Sequence, residues 1–302
     1  MSKNTEAMTV RPSPSAAVVR RRSQGELVLR RFLRHRAAVI SLVLFVAVVL
    51  LAFAGGALWR HDYADITSAV SEPPSFEHPF GTDNLGHDTF AQVLRGTQRS
   101  IEIALLIALL AGLVGTLWGA FSGYYRGVVD SVMMRFADLV LTLPLLAVAA
   151  VLTRGTSGSW WFVALVIASL QWAYVSRVVR GVVLSLREKE YVEAGRALGA
   201  TDRWIIFRHL IPNALGPIIV NVTILVAAAI LVETALSFLG LGVQPPDTSL
   251  GLLVSGATTA VSTRPWLFYF PGAFIVVIAL TINFIGDGLR DAFDPTQRKV
   301  RP

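Results

Sequence analysis

Cysteine is absent from this 302-residue chain, and charged residues are scarce. The lack of cysteine excludes disulfide bonds, thiolate metal sites and cysteine nucleophiles, and it gives no information about the compartment. Aspartate, glutamate, lysine and arginine make up 16% of the residues, whereas 54% are hydrophobic. Because the hydrophobic residues come in long blocks, the composition predicts a polytopic membrane protein.

Motifs of several enzyme classes are missing as well. Lysine occurs only at Lys3, Lys189 and Lys299, and none of them lies in a GxxxxGKS/T sequence. The chain therefore has no P-loop that could bind ATP phosphates. It has neither HExxH nor GxSxG, which would suggest a membrane protease. These absences predict a protein that is not an enzyme and that has no cofactor.

Six apolar blocks are long enough to cross a hydrocarbon core of about 30 Å as helices. They predict an all-α fold with six transmembrane helices, at residues 37–59, 99–123, 128–153, 159–182, 213–239 and 265–289. An alternative for the first block is a cleaved secretory signal, because Ala52-Phe53-Ala54 precedes Gly55. More than thirty residues precede the block, however, and its length favours a span.

The distribution of lysine and arginine predicts the orientation. With the N-terminus inside, 22 of these residues lie on the inner side and 5 on the outer side, so both termini are expected in the cytoplasm. The net charge of +7 then reflects contact with the lipid bilayer and requires no nucleic-acid partner. The predicted divisions are a disordered basic tail (1–36), the first span (37–59), an extracytoplasmic loop (60–98), a five-span core (99–289) with a cytoplasmic loop at 183–212, and a tail (290–302).

A polar segment, residues 190–212, separates two of the apolar blocks and reads EYVEAGRALGATDRWIIFRHLIP. It predicts two short helices joined by Gly199, which suits a left-handed residue after a helix end. Glu193 and Arg196 are spaced to pair at i,i+3 in the first helix. Thr201 with Asp202 suits the start of the second helix, and Pro212 is expected to end it.

This segment resembles the EAA loop of permease subunits from ABC importers, since Glu193, Ala194, Gly199 and Pro212 match that pattern at the right spacing. The resemblance implies that the loop docks into a cleft on a cytoplasmic ATPase subunit. An amphipathic helix lying on anionic lipid is the alternative. The residues expected to contact the ATPase are Glu190, Tyr191, Glu193, Ala194, Gly199, Ala200 and Trp204, with Leu198 as a further apolar anchor.

The outer loop carries a second motif. Gly81 and Gly86, with Asp83 between them, predict a compact turn, and Asp88 is suited to begin a helix that enters the membrane. The spacing does not fit a calcium-binding EF-hand loop, because Leu85 occupies a ligand position. We therefore expect a structural cap and no metal site.

Three stretches resemble the dipeptide, oligopeptide and nickel branch of these permeases: HPFGTDNLGHD before the second span, ETALSFLGLGVQPPD after the fifth, and GDGLRDAFDP at the C-terminal end. The chain is similar to the C-type permease of that branch. The resemblance implies a type I ABC importer permease fold in a prokaryotic cell membrane. It also implies a second permease, one or two ATPase subunits and an extracytoplasmic substrate-binding protein as partners, and di- or oligopeptides, nickel or heme as substrates.

Within the spans, a stripe of small residues predicts close helix packing: Ala111, Gly115, Gly119 and Gly123. Pro144 is expected to kink the third span, and Arg135 is expected to pair with Asp138.

A few polar residues in the spans are candidates for the translocation path or a gate: Gln171, Asn221, Glu233 and Asn283. Each has a structural alternative, since intramembrane polar groups often hydrogen-bond between helices, and for Glu233 a hydrogen-bonded bracket is favoured. A carrier driven by protons or sodium through Asp138 or Glu233 is the alternative function. It would be expected to show an inverted repeat, which is not visible here.

Overall fold

The structure is a computed structural model that describes residues 24–153 and 158–294, which are helical apart from connecting loops and two isolated β-bridges in the outer loop. The predicted all-α fold is confirmed. The helices are α1 (Gln24–Phe32), α2 (Arg36–Leu58), α3 (Thr89–Tyr125), α4 (Gly127–Thr142), α5 (Leu145–Thr153), α6 (Trp160–Leu186), α7 (Glu190–Ala197), α8 (Asp202–Phe238), α9 (Leu250–Ala257) and α10 (Trp266–Phe293).

Five of these helices are long and apolar enough to cross a membrane: α2, α3, α6, α8 and α10. Helices α4 and α5 give a sixth span if they are counted together, although they meet at an angle of 80°. The bend lies at Pro144, where the sequence predicts a kink, but it is larger than a kink and divides the segment 128–153 into two helices. Pro144 cannot donate a hydrogen bond to the turn before it, so α4 ends at Thr142 and the Pro144 carbonyl accepts from Val148 at 3.0 Å.

Several helix ends differ from the predicted boundaries. Helix α3 begins ten residues before position 99, because the Asp88 carboxylate accepts from the Ala91 N–H at 2.8 Å and caps it. The outer loop is thus shorter than 60–98. Helix α10 continues to Phe293, into the range predicted as a tail.

The predicted N-terminal tail is also corrected. Residues 24–32 form α1, which packs on α10, and Arg31 donates to the carbonyl oxygens of Ala292 and Asp294 at 3.2 and 3.3 Å. The predicted disorder of residues 1–23 and the end of the C-terminal tail, 295–302, lie outside the described residues.

Pro212 does not end a helix, contrary to the prediction. The turn from Ile206 to Leu210 is a π-helix, and the Ile211 N–H bonds the Ile206 carbonyl five residues earlier. This wider turn shifts the hydrogen-bond ladder immediately before the proline, where one donor is missing. As a result, α8 runs from the polar segment directly into the fifth span.

The glycine stripe of α3 packs against α6, which confirms the predicted close approach. A Cβ atom on Gly119 would lie 2.3 Å from the Ser176 carbonyl oxygen, and one on Gly115 would lie 2.6 Å from the Trp172 carbonyl oxygen. Side chains at these positions would force the two helices apart. Helix α8 completes the bundle by packing on α3, α6 and α10, and α2 packs on α10.

Candidate coupling surface and translocation residues

Helix α7 and the start of α8 form a helix–turn–helix unit, here called the coupling unit (residues 190–212). The Ala200 N–H bonds the Gly195 carbonyl at 3.0 Å, and the Gly199 N–H bonds the Arg196 carbonyl at 2.9 Å. This pair of bonds is a Schellman motif, and Gly199 has the left-handed φ of +81° that it requires. Thr201 then caps α8 by accepting from the Trp204 N–H at 3.4 Å.

Apolar side chains attach the coupling unit to the membrane helices. Val192 on α7 and Ile205, Ile206 and Leu210 on α8 are completely buried in one cluster with Val183 of α6. Full burial of each aliphatic side chain stabilises this attachment by about 1.5–3 kcal/mol. The coupling unit is therefore fixed on its inner side.

Tyr124, at the end of α3, is a polar anchor for the same unit. Its hydroxyl group donates to Asp202 at 2.6 Å, and the Arg196 guanidinium lies 5.2 Å from the centre of its ring. Arg187 donates to its backbone carbonyl. The predicted pairing of Glu193 with Arg196 is wrong, because Arg196 turns toward this aromatic ring, where a cation is attracted by the π face.

The outer side of the coupling unit is exposed. Leu198, at the tip of the turn, is 89% exposed, and Tyr191 and Trp204 are also exposed. The His209 ring lies between these two aromatic rings, 4.5 Å from Trp204 and 5.9 Å from Tyr191. Partial burial raises the pKa of the Tyr191 phenol. The remaining residues predicted to contact an ATPase are exposed or partly exposed beside them: Glu190, Glu193, Ala194, Gly199 and Ala200.

Next to the coupling unit, charged side chains join the membrane helices. Asp130 of α4 accepts two hydrogen bonds from Arg180 of α6, each 2.6 Å long. Asp138 pairs with Arg177 at 2.6 Å, so the predicted pairing with Arg135 is wrong. An i,i+3 pair was the only partner visible in the sequence, whereas the actual partners are about 40 to 50 residues away.

Glu233 is fully buried and does not face an open path in this structure. Its carboxylate accepts from Ser237 at 2.7 Å, and Ser100 of α3 lies at 3.4 Å. Ser237 also contacts Ser249, which caps α9. This arrangement is the hydrogen-bonded bracket, because it joins α3, α8 and the start of α9.

The other three path candidates are not brought together by any described contact. Asn221 and Asn283 each donate to a carbonyl of their own helix, at Pro217 and Ala279. Such local bonds satisfy an amide inside a membrane. Asn283 is exposed, whereas Asn221 and Gln171 are partly buried.

The outer-loop residues make structural contacts. The Asp83 carboxylate accepts from the backbone N–H groups of Leu85 and His87, both at 2.8 Å. Gly81 and Gly86 have φ values of +72° and +91°, as the predicted turn requires. Asp88 caps α3 and also contacts His78 at 2.7 Å.

Sequence reasoning missed the roles of Tyr124, Asp130, Arg180 and Asp247. Asp247 contacts both Arg95, at 3.0 Å, and Arg99 at the start of α3. One signal was available: ionised side chains near or inside apolar helices are costly unless they are paired. That rule identifies residues that need a partner, but it does not identify the partner.

Comparison with known proteins places the chain among transport components. Residues 115–299 match the family described as binding-protein-dependent transport system inner membrane component, and residues 23–74 match the N-terminal transmembrane domain of oligopeptide transport permease C. The oligopeptide transport system permease protein OppC of Mycobacterium tuberculosis strain H37Rv is 42% identical over 92% of this chain and 97% of its own length.

Two further proteins are similar to the chain. OppC of Escherichia coli K12 is 41% identical over 92% of this chain and 93% of its own length. A solved amino acid ABC transporter with histidines matches with a TM-score of 0.45 and 18% identity, over 64% of this chain and 94% of that chain.

Proposed function

The chain belongs to the family of binding-protein-dependent transport system inner membrane components, and we propose that it is the permease that carries oligopeptides in an ATP-driven importer. The peptide substrate is supported by the names of the relatives that match over nearly the whole chain. The chain is a multi-pass membrane protein. ATP hydrolysis belongs to separate subunits in this proposal, since no P-loop sequence is present.

The coupling unit is the proposed docking site for a cytoplasmic ATPase. Its inner side is fixed by four buried aliphatic side chains, and its outer side presents Tyr191, Leu198 and Trp204. Exposed apolar side chains on a short helix are suited to a hydrophobic groove on a partner. Because α8 is continuous from Asp202 to Phe238, a displacement of the coupling unit would be transmitted directly to the fifth span.

The membrane orientation is part of the proposal. Both termini and the coupling unit are cytoplasmic, which is supported by the 22 to 5 distribution of basic residues. The cysteine-free chain allows a direct test with single cysteines at Leu198 and Leu85. In intact cells, a membrane-impermeant maleimide should label the outer-loop cysteine at position 85 and should leave the one at 198 unlabelled until the membrane is opened.

A second homologous permease completes the proposed path, and a substrate-binding protein delivers the peptide from outside. The chain contributes half of that path. Asn283, Asn221 and Gln171 remain candidates for its lining, because their polar side chains are not completely buried in the single chain. Glu233 is assigned to the bracket.

The decisive experiment is co-purification of the chain with its ATPase and partner permease, followed by measurement of ATP hydrolysis and peptide uptake in lipid vesicles. Leu198→Asp places a charge at the tip of the coupling unit without removing a buried contact. We expect it to release the ATPase or to abolish stimulated hydrolysis. Leu85→Asp is the matched control, because Leu85 is 58% exposed in the outer loop.

Two outcomes would contradict the proposal. If both variants retain the ATPase and its activity, the coupling unit is not the docking site. If uptake follows an ion gradient and continues without ATP, the chain acts as an ion-coupled carrier, the alternative function.

A further inference from the structure

Three potential metal ligands meet in the outer loop, at His61, Glu77 and His78. One ligand atom from each residue lies within 4.8 Å of the other two. The residues come from two chain segments, which Arg60 joins by donating to the carbonyl oxygens of Glu77 at 2.6 Å and Phe76 at 3.4 Å. We propose that these three residues bind a divalent transition-metal ion of the zinc type.

His78 has the carboxylate contact that is typical of metal-binding histidines. It is 3% exposed, and its Nδ1 atom lies 2.7 Å from a carboxylate oxygen of the fully buried Asp88. An ionised carboxylate can only accept, so the proton of this contact is on Nδ1, and in the neutral imidazole the lone pair is then on Nε2. Metal-binding histidines commonly donate their second N–H to a carboxylate, which fixes the tautomer and the ring orientation. The second oxygen of Asp88 caps α3, so this support is rigid.

His61 supplies the second imidazole. Its Nε2 atom is buried and has no hydrogen-bond partner among the described residues. Its ring lies 4.9 Å from the His78 ring, at an angle of 33°. A buried polar atom without a partner costs about 1–3 kcal/mol, so such atoms in native proteins are rare and require a reason. Coordination of a metal ion would satisfy this nitrogen.

Glu77 supplies an anionic ligand and leaves the cluster accessible. Its side chain is exposed, and His61 borders a cavity of about 500 Å³ that also contacts Trp59 and Arg60. Two imidazoles with one carboxylate suit zinc and related first-row ions, and a water molecule would complete a tetrahedral site. The chain has five histidines and no cysteine, and two of the five are in this cluster.

The proposed ion would fasten the end of α2 to the loop that supports the start of α3. This role does not depend on the substrate or on ATPase coupling. The proposed site differs from the calcium site that the sequence excluded. Asp83 is not one of its ligands, and Asp88 contacts the ligand His78 without being a ligand itself. The sequence did not reveal the cluster because His61 and His78 are 17 residues apart, outside any common metal-binding motif.

The test uses the full-length chain in lipid nanodiscs, purified without a histidine tag and stripped with a chelator. Zinc is titrated against a competing fluorescent indicator, and the thermal unfolding temperature is recorded with and without zinc. We expect one ion per native chain and a higher unfolding temperature when zinc is bound. His61→Ala and Glu77→Gln should each weaken binding about tenfold or more.

Glu72→Gln is the matched control, because Glu72 is an exposed carboxylate of the same loop outside the cluster. It should bind zinc like the native chain. The proposal is overturned if the native chain binds no zinc, if Glu77→Gln and His61→Ala bind it as tightly as the native chain, or if Glu72→Gln weakens binding equally. Because Glu77 is exposed, the Glu77→Gln variant should fold even if His61→Ala does not.

Discussion

Arg180 of α6 holds Asp130 of α4 through two parallel hydrogen bonds, each 2.6 Å long. The Ser122 hydroxyl group donates to the same carboxylate, so α3 is included in this contact. The three helices are thereby joined near the coupling unit, where Arg187 and Tyr124 also meet. A displacement of α7 and α8 would reach this junction through Tyr124, which contacts both Asp202 and Arg196.

Disruption of this junction should destabilise the protein. Asp130→Asn removes the charge and one of the two guanidinium contacts. We expect a loss of about 1–2 kcal/mol, less than for a fully buried pair, because the Arg180 side chain is 34% exposed. The unfolding temperature of the purified chain should therefore fall. Arg180→Gln should lower the unfolding temperature less in the Asp130→Asn variant than in the native chain, because the pair is already broken there. Strictly additive losses would contradict the pairing.

The glycine stripe gives a second prediction. Gly119→Ala places a Cβ atom 2.3 Å from the Ser176 carbonyl oxygen and 2.9 Å from the Arg180 backbone nitrogen, so α3 and α6 must separate. Overpacking of this kind costs about 1–3 kcal/mol. Gly181→Ala is the matched control, because no atom of the described part of the chain outside its own helix would lie within 4 Å of the added methyl group. Thermal unfolding should show a decrease for Gly119→Ala only, and an equal decrease for both variants would contradict the packing.

Glu233 gives a prediction that separates the bracket from an ion-coupled carboxylate. Glu233→Gln keeps an oxygen that can accept from Ser237, so assembly and peptide uptake should be close to native. Glu233→Ala leaves Ser100 and Ser237 without this partner and creates a cavity, so it should lower the unfolding temperature and the yield. Uptake into vesicles is the measurement. If Glu233→Gln folds normally but loses uptake, the carboxylate belongs to the path or to ion coupling.

The spans, the Gly199 turn and the glycine stripe could be predicted because each is encoded locally. Hydrophobic length determines a span, and a left-handed residue at a helix end favours glycine. A spacing of four places small residues on one helix face. The identity of the opposing helix, α6, could not be predicted, because the stripe is complementary to any closely approaching backbone.

The predictions that were wrong depended on competition between local and tertiary interactions. Pro212 was expected to stop a helix, but a π turn absorbs its missing donor, and burial of Ile206 and Leu210 favours continuation into the span. Asp138 was assigned its nearest basic residue, yet Arg177 on a neighbouring helix lies closer in space. The contacts of His61 and His78 likewise depend on how the outer loop folds back on itself.

The two glycines of the coupling unit give the last prediction. Gly195 occupies a helical position, and among the described residues no atom outside its own helix backbone would lie within 4 Å of an added Cβ atom, so Gly195→Ala should stabilise α7 by up to about 1 kcal/mol. Gly199 has equally open surroundings, but its φ of +81° makes Gly199→Ala cost about 1–2 kcal/mol.

Hydrogen–deuterium exchange of the α7 amides separates these effects from direct contact with a partner. In the chain without its ATPase, Gly195→Ala should slow exchange and Gly199→Ala should accelerate it. Faster exchange in both variants would mean that the methyl group of Gly195→Ala destabilises α7, which contradicts the open surroundings of Gly195. Unchanged exchange in Gly199→Ala would mean that the Schellman motif does not hold the turn. Because Gly199 is a predicted ATPase contact and Gly195 is not, exchange is measured in the chain alone, where the opposite effects follow from the backbone conformation of the two positions.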